Sequence, residues 1–311
     1  MNYNYEKITY PSADGINTIH ADIYTPKHKT ARGIVQLAHG MVDHPGRYTN
    51  LCEFLTGEGY IFAGNHHLGH GRSAHSEDDF GYFAKKDGIE YLLQDMHTMN
   101  RYLRDTYPTL PLVVLGHSMG SFITRLYVTR HPHSMRGVII HGTGGKNVLA
   151  PLGIALARAI ALVKGEKNRS KLISAVAFGS YNKKFDKSEG SNAWLSRDTV
   201  QISGKDSDPL ASFSFTVSGY CDLFKMLKDC NAKEWYSEYP KDMRTLIMSG
   251  DADPVGNYGR GVLEVYRRLM VVGASDLELK LYKGARHELF NETNRDEVFR
   301  DMKVWLDGVT L

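Results

Sequence analysis

Short apolar runs alternate with amphipathic stretches along most of the chain, and this alternation predicts its elements. The runs at residues 33–38, 60–63 and 112–115 are continuously apolar or nearly so, which is typical of strands buried on both faces. Apolar residues recur at helical spacing over residues 88–107 and predict a long helix. Strands separated by helices of this length indicate parallel crossover connections.

The same reading predicts the rest of the sheet and two shorter helices. Further strands are predicted at 137–140, 245–248 and 277–282, and a hairpin at 5–24 that turns at residues 12–15; helices are predicted at 47–57 and 119–131. The second helix ends because Pro132 cannot continue it. The pattern therefore predicts an α/β fold with a mostly parallel central sheet and helices on both faces.

One long region contains no convincing strand of the sheet. We expect residues 144–235 to form a helical cap inserted after the sixth strand, with residues 1–143 and 236–311 forming the core. Residues 143–235 contain 14 Lys and Arg against 9 Asp and Glu, a net charge of +5, whereas the whole chain carries +3. This basic excess fits a solvated surface and also fits attraction to anionic head groups.

The cap contains a segment that is apolar around nearly its whole circumference, at residues 151–163. Such a helix is either buried or faces a lipid or an acyl chain. The two alternatives have equal weight in the sequence. Our hypothesis is an acyl-chain tunnel roofed by this helix.

Composition and charge exclude several classes of protein. A net charge of +3 is too small for a nucleic-acid-binding surface. Neither a secretion signal nor a membrane-spanning run is visible, and Cys52, Cys221 and Cys230 form no CxxC pair. We expect buried thiols in a reducing compartment and hence a cytoplasmic protein.

A candidate nucleophile lies where the third apolar run ends. Gly116-His117-Ser118-Met119-Gly120 matches the G-x-S-x-G pattern, follows the run at 112–115 and opens the helix at 119–131. This strand–turn–helix order is what a nucleophile elbow requires, because the turn is sharp and glycines avoid collisions in it. The pattern predicts that Ser118 is the nucleophile of a hydrolase.

A serine nucleophile needs a base and an acid that orients the base. His287 follows the last predicted strand, where the base of such a fold is expected, and no histidine lies between His141 and His287. The loop after the strand at 245–248 contains two aspartates, Asp251 and Asp253. Their positions alone do not decide between them.

Five segments in the same order resemble the monoacylglycerol lipase and bacterial lysophospholipase group of α/β-hydrolases. They are His39-Gly40-Met41-Val42-Asp43-His44-Pro45-Gly46-Arg47-Tyr48, Leu68-Gly69-His70-Gly71-Arg72-Ser73, Gly116-His117-Ser118-Met119-Gly120, Gly250-Asp251-Ala252-Asp253-Pro254 and Gly284-Ala285-Arg286-His287. The resemblance runs from about residue 5 to the end. It implies a serine hydrolase that cleaves carboxylic esters of lipids, such as monoacylglycerol or lysophospholipid, through an acyl-enzyme.

The resemblance also implies the roles of individual residues. It selects Asp253 as the acid and leaves Asp251 as a supporting loop residue. It places the oxyanion-binding N–H groups at Met41 and Met119, and the substrate beside His39, Gly40 and His117. It implies that no cofactor is needed.

In one place the chain departs from the group, since His66-His67 stands where similar proteins usually carry Asp-His. The cluster His66, His67, His70 and His75 matches no zinc-binding spacing, so we expect no metal site. Two alternatives to a lipid esterase remain. One is an aminopeptidase of the proline iminopeptidase type, and the other is a non-hydrolytic ligand-binding homologue. The expected partner is a small acyl ester or lipid, with transient contact between the cap and a membrane surface.

Overall fold

The computed structural model describes residues 3–310, in which eight strands form one sheet. Their order across the sheet is β1-β2-β4-β3-β5-β6-β7-β8. The strands are β1 (Tyr3–Pro11), β2 (Thr18–Pro26), β3 (Gly33–Ala38), β4 (Tyr60–Asn65), β5 (Leu112–His117), β6 (Gly137–His141), β7 (Arg244–Gly250) and β8 (Leu277–Tyr282). β1 and β2 form an antiparallel hairpin and β2 is antiparallel to β4, while all other pairs are parallel. The predicted mostly parallel sheet is confirmed.

Ten α-helices accompany the sheet in the described residues. They are α1 (Thr49–Gly57), α2 (Gly88–Thr106), α3 (Met119–Arg130), α4 (Ala150–Lys164), α5 (Lys171–Phe178), α6 (Thr199–Ser207), α7 (Val217–Asp229), α8 (Lys233–Glu238), α9 (Arg260–Val271) and α10 (Arg295–Thr310). α1 and α10 pack with Val113 and Leu115 of β5, while α2, α3 and α9 pack with Leu112 and Val114. Alternate residues of one strand thus point to opposite faces, and both faces of the sheet are covered.

The order of the strands brings the candidate segments together. β3 pairs with β4 on one side and with β5 on the other, so the chain changes direction across the sheet at this point. In open α/β sheets the loops that leave such a switch point at the carboxyl ends of the strands form a crevice. The loops after β3, β5, β7 and β8 all leave from this edge.

Residues 142–243, here named the β6–β7 segment, contain α4 to α8 and, among described residues, no strand. The division into a core and a cap at residues 144–235 stays a prediction, and residue 235 itself falls within α8. The segment is fixed to the nucleophile helix α3 by Arg125, which is fully buried. Its guanidinium donates to the Gly144 carbonyl at 3.0 Å and to the Asn231 amide oxygen at 3.1 Å, near opposite ends of the segment.

The apolar helix of the sequence is α4, and it is not buried all round. Its residues 151–163 do not line the cavity that contains Ser118, although some of them line a smaller, separate cavity. One face packs against α7, where Gly153 lies against Phe224. The other face is open to solvent, with Leu152 67% exposed and Leu162 88% exposed. The hypothesis of a tunnel roofed by this helix is wrong, because α5 and α7 form that wall of the cavity described below.

Two observations bear on the environment of the chain. No helix within residues 3–310 is long and apolar enough to cross a membrane. Cys52, Cys221 and Cys230 are all buried as free thiols.

Candidate active site

Ser118 lies in the tight turn between β5 and α3, with a φ of 55°. A positive φ is strained for a residue with a side chain, and such strain concentrates at functional sites. The turn leaves no room at its two glycines. A Cβ on Gly120 would stand 1.9 Å from the carbonyl oxygen of Ala38, and one on Gly116 would stand 2.4 Å from that of Gly120. The packing therefore requires glycine at both places and holds Ser118 at the N-terminus of α3.

The loops after β7 and β8 bring a carboxylate to a histidine. His287 Nδ1 lies 2.9 Å from Asp253 Oδ2, and both side chains are buried. Asp251 is exposed and accepts the Gly284 N–H at 2.6 Å. Of the two aspartates that strand position left open, Asp253 is thus the one that contacts the imidazole.

The second nitrogen of His287 is open to the cavity that Ser118 also lines. Nε2 has no protein partner among described residues, yet it is not one of the solvent-excluded unpaired atoms. No hydrogen bond joins it to the Ser118 hydroxyl in this structure. In active sites of this kind the contact often tightens only in the complex with substrate.

The loop after β3 is oriented by a buried histidine. His39 Nε2 accepts the His67 N–H at 3.0 Å, so its proton is on Nδ1, which donates to the Gly40 carbonyl at 2.8 Å. In a trans peptide the carbonyl and the following N–H point in opposite directions. The Met41 N–H therefore points away from His39, and Met41 lines the cavity.

A second buried histidine supports the same loop. His70 Nε2 accepts the Val42 N–H at 3.3 Å, and its Nδ1 donates to the Leu68 carbonyl at 3.2 Å. Val42 has a φ of 52°, an uncommon conformation for a β-branched residue. Burial lowers the pKa of His70 to about 4, so the ring is neutral and able to accept this bond.

Two backbone donors converge on the cavity from these loops. Within residues 3–310, neither the Met41 N–H nor the Met119 N–H donates to a protein acceptor. Both residues line the cavity together with Gly40, Ser118 and His287. The site therefore offers two unused N–H groups beside the serine.

The cavity has a volume of about 820 Å³ and a wall rich in apolar and aromatic side chains. That wall is supplied by Phe122, Phe178, Tyr220, Leu223, Phe224 and Leu227. The Trp194 ring packs against the His287 ring with centroids 5.0 Å apart. Sequence reasoning missed Trp194, because nothing local links it to a histidine so far along the chain.

A buried ionic cluster lies beside the site, and the sequence did not reveal that its members meet. Arg47 donates to Asp43 at 2.9 Å and to Glu288 at 2.8 and 3.1 Å. Burial disfavours charge on both acids, but Arg47 offsets it and holds the pKa values of Asp43 and Glu288 below their ordinary range. Asp43 and Arg47 belong to the first resembling segment, which was the available signal.

The predicted site residues do not all lie where substrate could touch them. Gly40 and His117 line the cavity. His39, expected beside the substrate, is fully buried with both nitrogens on backbone groups. Its side chain orients the loop and does not line the cavity.

At His66-His67, where the chain departs from the resembling group, a carboxylate from another strand contacts the imidazole. His66 Nε2 lies 3.0 Å from Asp22 Oδ2 on β2, and Arg72 also binds Asp22. In the described part of the chain, no group of three or more His, Cys, Asp or Glu side chains is arranged to hold a metal ion.

Comparison with known proteins shows which family the chain belongs to. Residues 29–294 match the model of the family described as "Serine aminopeptidase, S33". A monoacylglycerol lipase of Mycolicibacterium smegmatis is 26% identical over 302 residues, which cover 96% of this chain and 95% of that protein. A monoglyceride lipase of Homo sapiens is 25% identical over 289 residues, which cover 90% and 84%.

The fold has a close counterpart among solved structures. A highly thermostable carboxyl esterase from Bacillus coagulans, in complex with glycerol, superposes with a TM-score of 0.91 at 28% identity and 99% coverage of both chains. These matches confirm the α/β-hydrolase fold and the resemblance to the monoacylglycerol lipase group. By the extent of the family match, the chain belongs to the α/β-hydrolase family described as serine aminopeptidase, S33.

Proposed function

We propose that the protein is a serine hydrolase that cleaves carboxylic esters of lipids of the monoacylglycerol or lysophospholipid class. The observation that carries the proposal is that Ser118, His287 held by Asp253, and two unused N–H groups all line one cavity that has an apolar wall. Activity on lipid esters is named for the relatives from M. smegmatis and Homo sapiens, which supports this substrate class.

The mechanism follows from the roles of these groups. His287 Nε2 takes the proton of the Ser118 hydroxyl as its oxygen bonds to the ester carbonyl carbon, and Asp253 stabilises the resulting imidazolium. The carbonyl oxygen becomes an oxyanion that accepts from the N–H groups of Met41 and Met119. The bond to the alcohol then breaks as His287 returns the proton to the leaving oxygen. Water hydrolyses the acyl-serine by the same steps.

An aminopeptidase is the second candidate function, and it needs a carboxylate to anchor the substrate ammonium. Asp43 and Glu288 beside the site are buried and both contact Arg47. Asp206 and Glu264 also line the cavity. The family description, together with these cavity-lining carboxylates, makes the aminopeptidase the second candidate.

A substrate panel tests the proposal. We expect the protein to hydrolyse nitrophenyl esters with a rate that rises from acetate towards octanoate, and to act on monoacylglycerols or lysophospholipids. We expect negligible turnover of aminoacyl and prolyl nitroanilides. A preference for the nitroanilides would establish the aminopeptidase, and turnover of no compound would favour the ligand-binding homologue. Rates that peak at acetate and collapse by octanoate would exclude an acyl-chain cavity.

The β6–β7 segment is where we place contact with a lipid surface. Val148, Leu149 and Val176 are exposed and also line the cavity, so an apolar path leads from solvent to the site. Leu152 and Leu162 extend this apolar surface. Because residues 143–235 carry a net charge of +5, an anionic membrane surface complements it. The free buried thiols agree with a reducing, cytoplasmic location.

Vesicle flotation tests this contact. We expect binding to phosphatidylglycerol-containing vesicles that weakens with salt, and at least about threefold less binding for L152S/L162S/V163S, which removes apolar area from the surface. The matched control I16S/V271S/V304S removes exposed apolar side chains elsewhere. Equal binding of the two triple variants would show that the surface plays no part in membrane contact.

A further inference from the structure

The residue before the nucleophile, His117, is paired with a second buried histidine. His117 Nδ1 lies 3.0 Å from His141 Nδ1, and the two rings stack with centroids 4.4 Å apart. Both side chains are almost completely buried. Burial and neighbouring histidines hold the pKa values of His117 and His141 well below 6.5, so both rings are neutral at pH 7.

The hydrogen bonds decide where each ring carries its proton. His141 Nε2 accepts the Leu289 N–H at 3.3 Å, so this nitrogen is unprotonated and the proton of His141 is on Nδ1. That proton is donated to His117 Nδ1, because two unprotonated nitrogens at 3.0 Å would repel each other. The proton of His117 is therefore on Nε2.

The Nε2–H group of His117 opens into the cavity. It has no protein partner among described residues, yet it is not one of the solvent-excluded unpaired atoms, and His117 lines the cavity. The neighbouring ring carbon, Cδ2, faces Gly40 and lies 3.1 Å from where a Cβ on that glycine would stand. The His117 ring also packs against the His287 ring, with centroids 4.9 Å apart.

This position is on the alcohol side of a bound ester. His287 returns its proton to the oxygen of the leaving alcohol, so a donor packed against its ring lies next to that alcohol. The acyl oxygen is already served by two backbone N–H groups, and the apolar wall suits the acyl chain. Nε2–H of His117 thus remains for an oxygen on the alcohol.

We infer that His117, held in its Nε2–H form by His141, binds a second oxygen on the alcohol part of the substrate and so selects esters of 1,2-diols over esters of simple alcohols. The inference rests on the proposed ester hydrolysis and names a binding atom for the leaving alcohol. His117 is a binding residue that touches substrate, and His141 is a positioning residue that acts through it.

Two isosteric esters test the selection. 2-Hydroxyethyl octanoate and n-propyl octanoate share an acyl chain and differ by a hydroxyl in place of a methyl group. We expect kcat/KM to favour the hydroxyethyl ester by about tenfold, the effect of one hydrogen bond and of the donor left unpaired by the propyl ester. If neither ester is hydrolysed, the proposed function fails. If both are hydrolysed with equal kcat/KM, only the inference fails.

Variants test which residue causes the preference for the hydroxyethyl ester. H117L should bring the ratio of the two kcat/KM values to about one, and H117Q, which retains an N–H donor, should restore part of it. H141F keeps the ring packing but removes the donor to His117, and it should lower the ratio by about threefold. H133L, on the exposed surface, is the control. Comparing variants on the same two esters cancels the difference in leaving-group reactivity. A ratio unchanged in H117L would overturn the inference.

A spectroscopic measurement covers the case in which a buried variant fails to fold. Two-bond ¹H–¹⁵N correlation spectra of the wild-type protein report which ring nitrogen is protonated. The inference predicts a protonated Nε2 and an unprotonated Nδ1 for His117, with the reverse for His141. A protonated Nδ1 on His117 would contradict it.

Discussion

Two buried histidine–aspartate pairs of almost the same geometry occur in this molecule. His287 lies 2.9 Å from Asp253, and His66 lies 3.0 Å from Asp22, with all four side chains no more than 2% exposed. They differ in their second nitrogens. His66 Nδ1 accepts the Arg72 N–H at 3.2 Å, whereas His287 Nε2 opens into the cavity beside Ser118.

The difference teaches that such a pair is not itself a catalytic feature. Asp22 is also bound by Tyr5, at 2.6 Å, and by Arg72, which neutralises its charge. Both nitrogens of His66 are occupied, so this pair joins β2 to the loop after β4. The pair at His287 leaves one nitrogen unoccupied, and that nitrogen opens into the cavity that Ser118 also lines.

The largest effect should come from removing the two histidines in turn. We expect H287Q to lower kcat by about 10⁶-fold, because Ser118 loses its base. H66Q should retain activity within about tenfold of wild type while losing about 1–3 kcal/mol of unfolding free energy, since a buried bond is weakened. Ester kinetics and urea unfolding measure the two. Comparable losses of kcat in both folded variants would remove the distinction between the pairs.

The next effect separates the acid of the open pair from its neighbour. D253N should lower kcat by about 10⁴-fold, because the amide no longer holds the imidazole in the required tautomer. D251N is the matched control in the same loop and should stay within about tenfold of wild type, because it weakens only the bond to Gly284. Kinetics at saturating ester measure both, and the reverse ranking would reassign the acid.

How much of this site the sequence predicts depends on how local each signal is. The predicted strand bounds at 33–38 and 277–282 agree with β3 and β8, because the apolar pattern and turn residues are local. Ser118 and His287 follow from their places at strand ends. Asp253 needed the resemblance, because Asp251 occupies the same loop and their difference lies in side-chain direction.

Pairings between distant segments could not be predicted. Asp22 and His66 are 44 residues apart, and Arg47 and Glu288 are 241 residues apart. Hydrophobic periodicity carries no information on which polar groups meet. α4 shows the same limit, because its apolar composition did not reveal that one face is solvent-exposed.

A smaller effect is expected from filling the space beside Nδ1 of His66, and it tests how tightly that nitrogen is packed. Gly71 has a φ of +49°, and a Cβ on it would stand 2.0 Å from His66 Nδ1. G15A is the matched control, because Gly15 also has a positive φ but has open space around it. We expect G15A to cost about 1–2 kcal/mol of unfolding free energy and G71A about 2 kcal/mol more. Urea unfolding measures both, and equal losses would show that His66 yields without cost.

The smallest effect concerns His67, a buried histidine whose ring nitrogens have no hydrogen-bond partner within residues 3–310. Burial lowers its pKa from 6.5 to about 3, so below pH 6.5 the unfolded state gains a proton that the folded state does not. The native state therefore loses stability as pH falls from 6.5 towards 3. Between pH 7 and pH 5, H67F should gain about 2 kcal/mol of unfolding free energy relative to wild type.

Urea unfolding at the two pH values measures this difference. H133F is the control, since it removes a histidine from the exposed surface. If H67F and wild type lose stability in parallel on acidification, burial of the neutral ring does not contribute to acid sensitivity.

Covalent labelling with a fluorophosphonate, which reacts with an activated serine, is the most direct test of Ser118 as the nucleophile. We expect one adduct per chain, located on Ser118 by peptide mass spectrometry, absent in S118A and strongly slowed in H287Q. An adduct on another residue, or labelling of S118A at the wild-type rate, would contradict the assignment of Ser118 as the nucleophile.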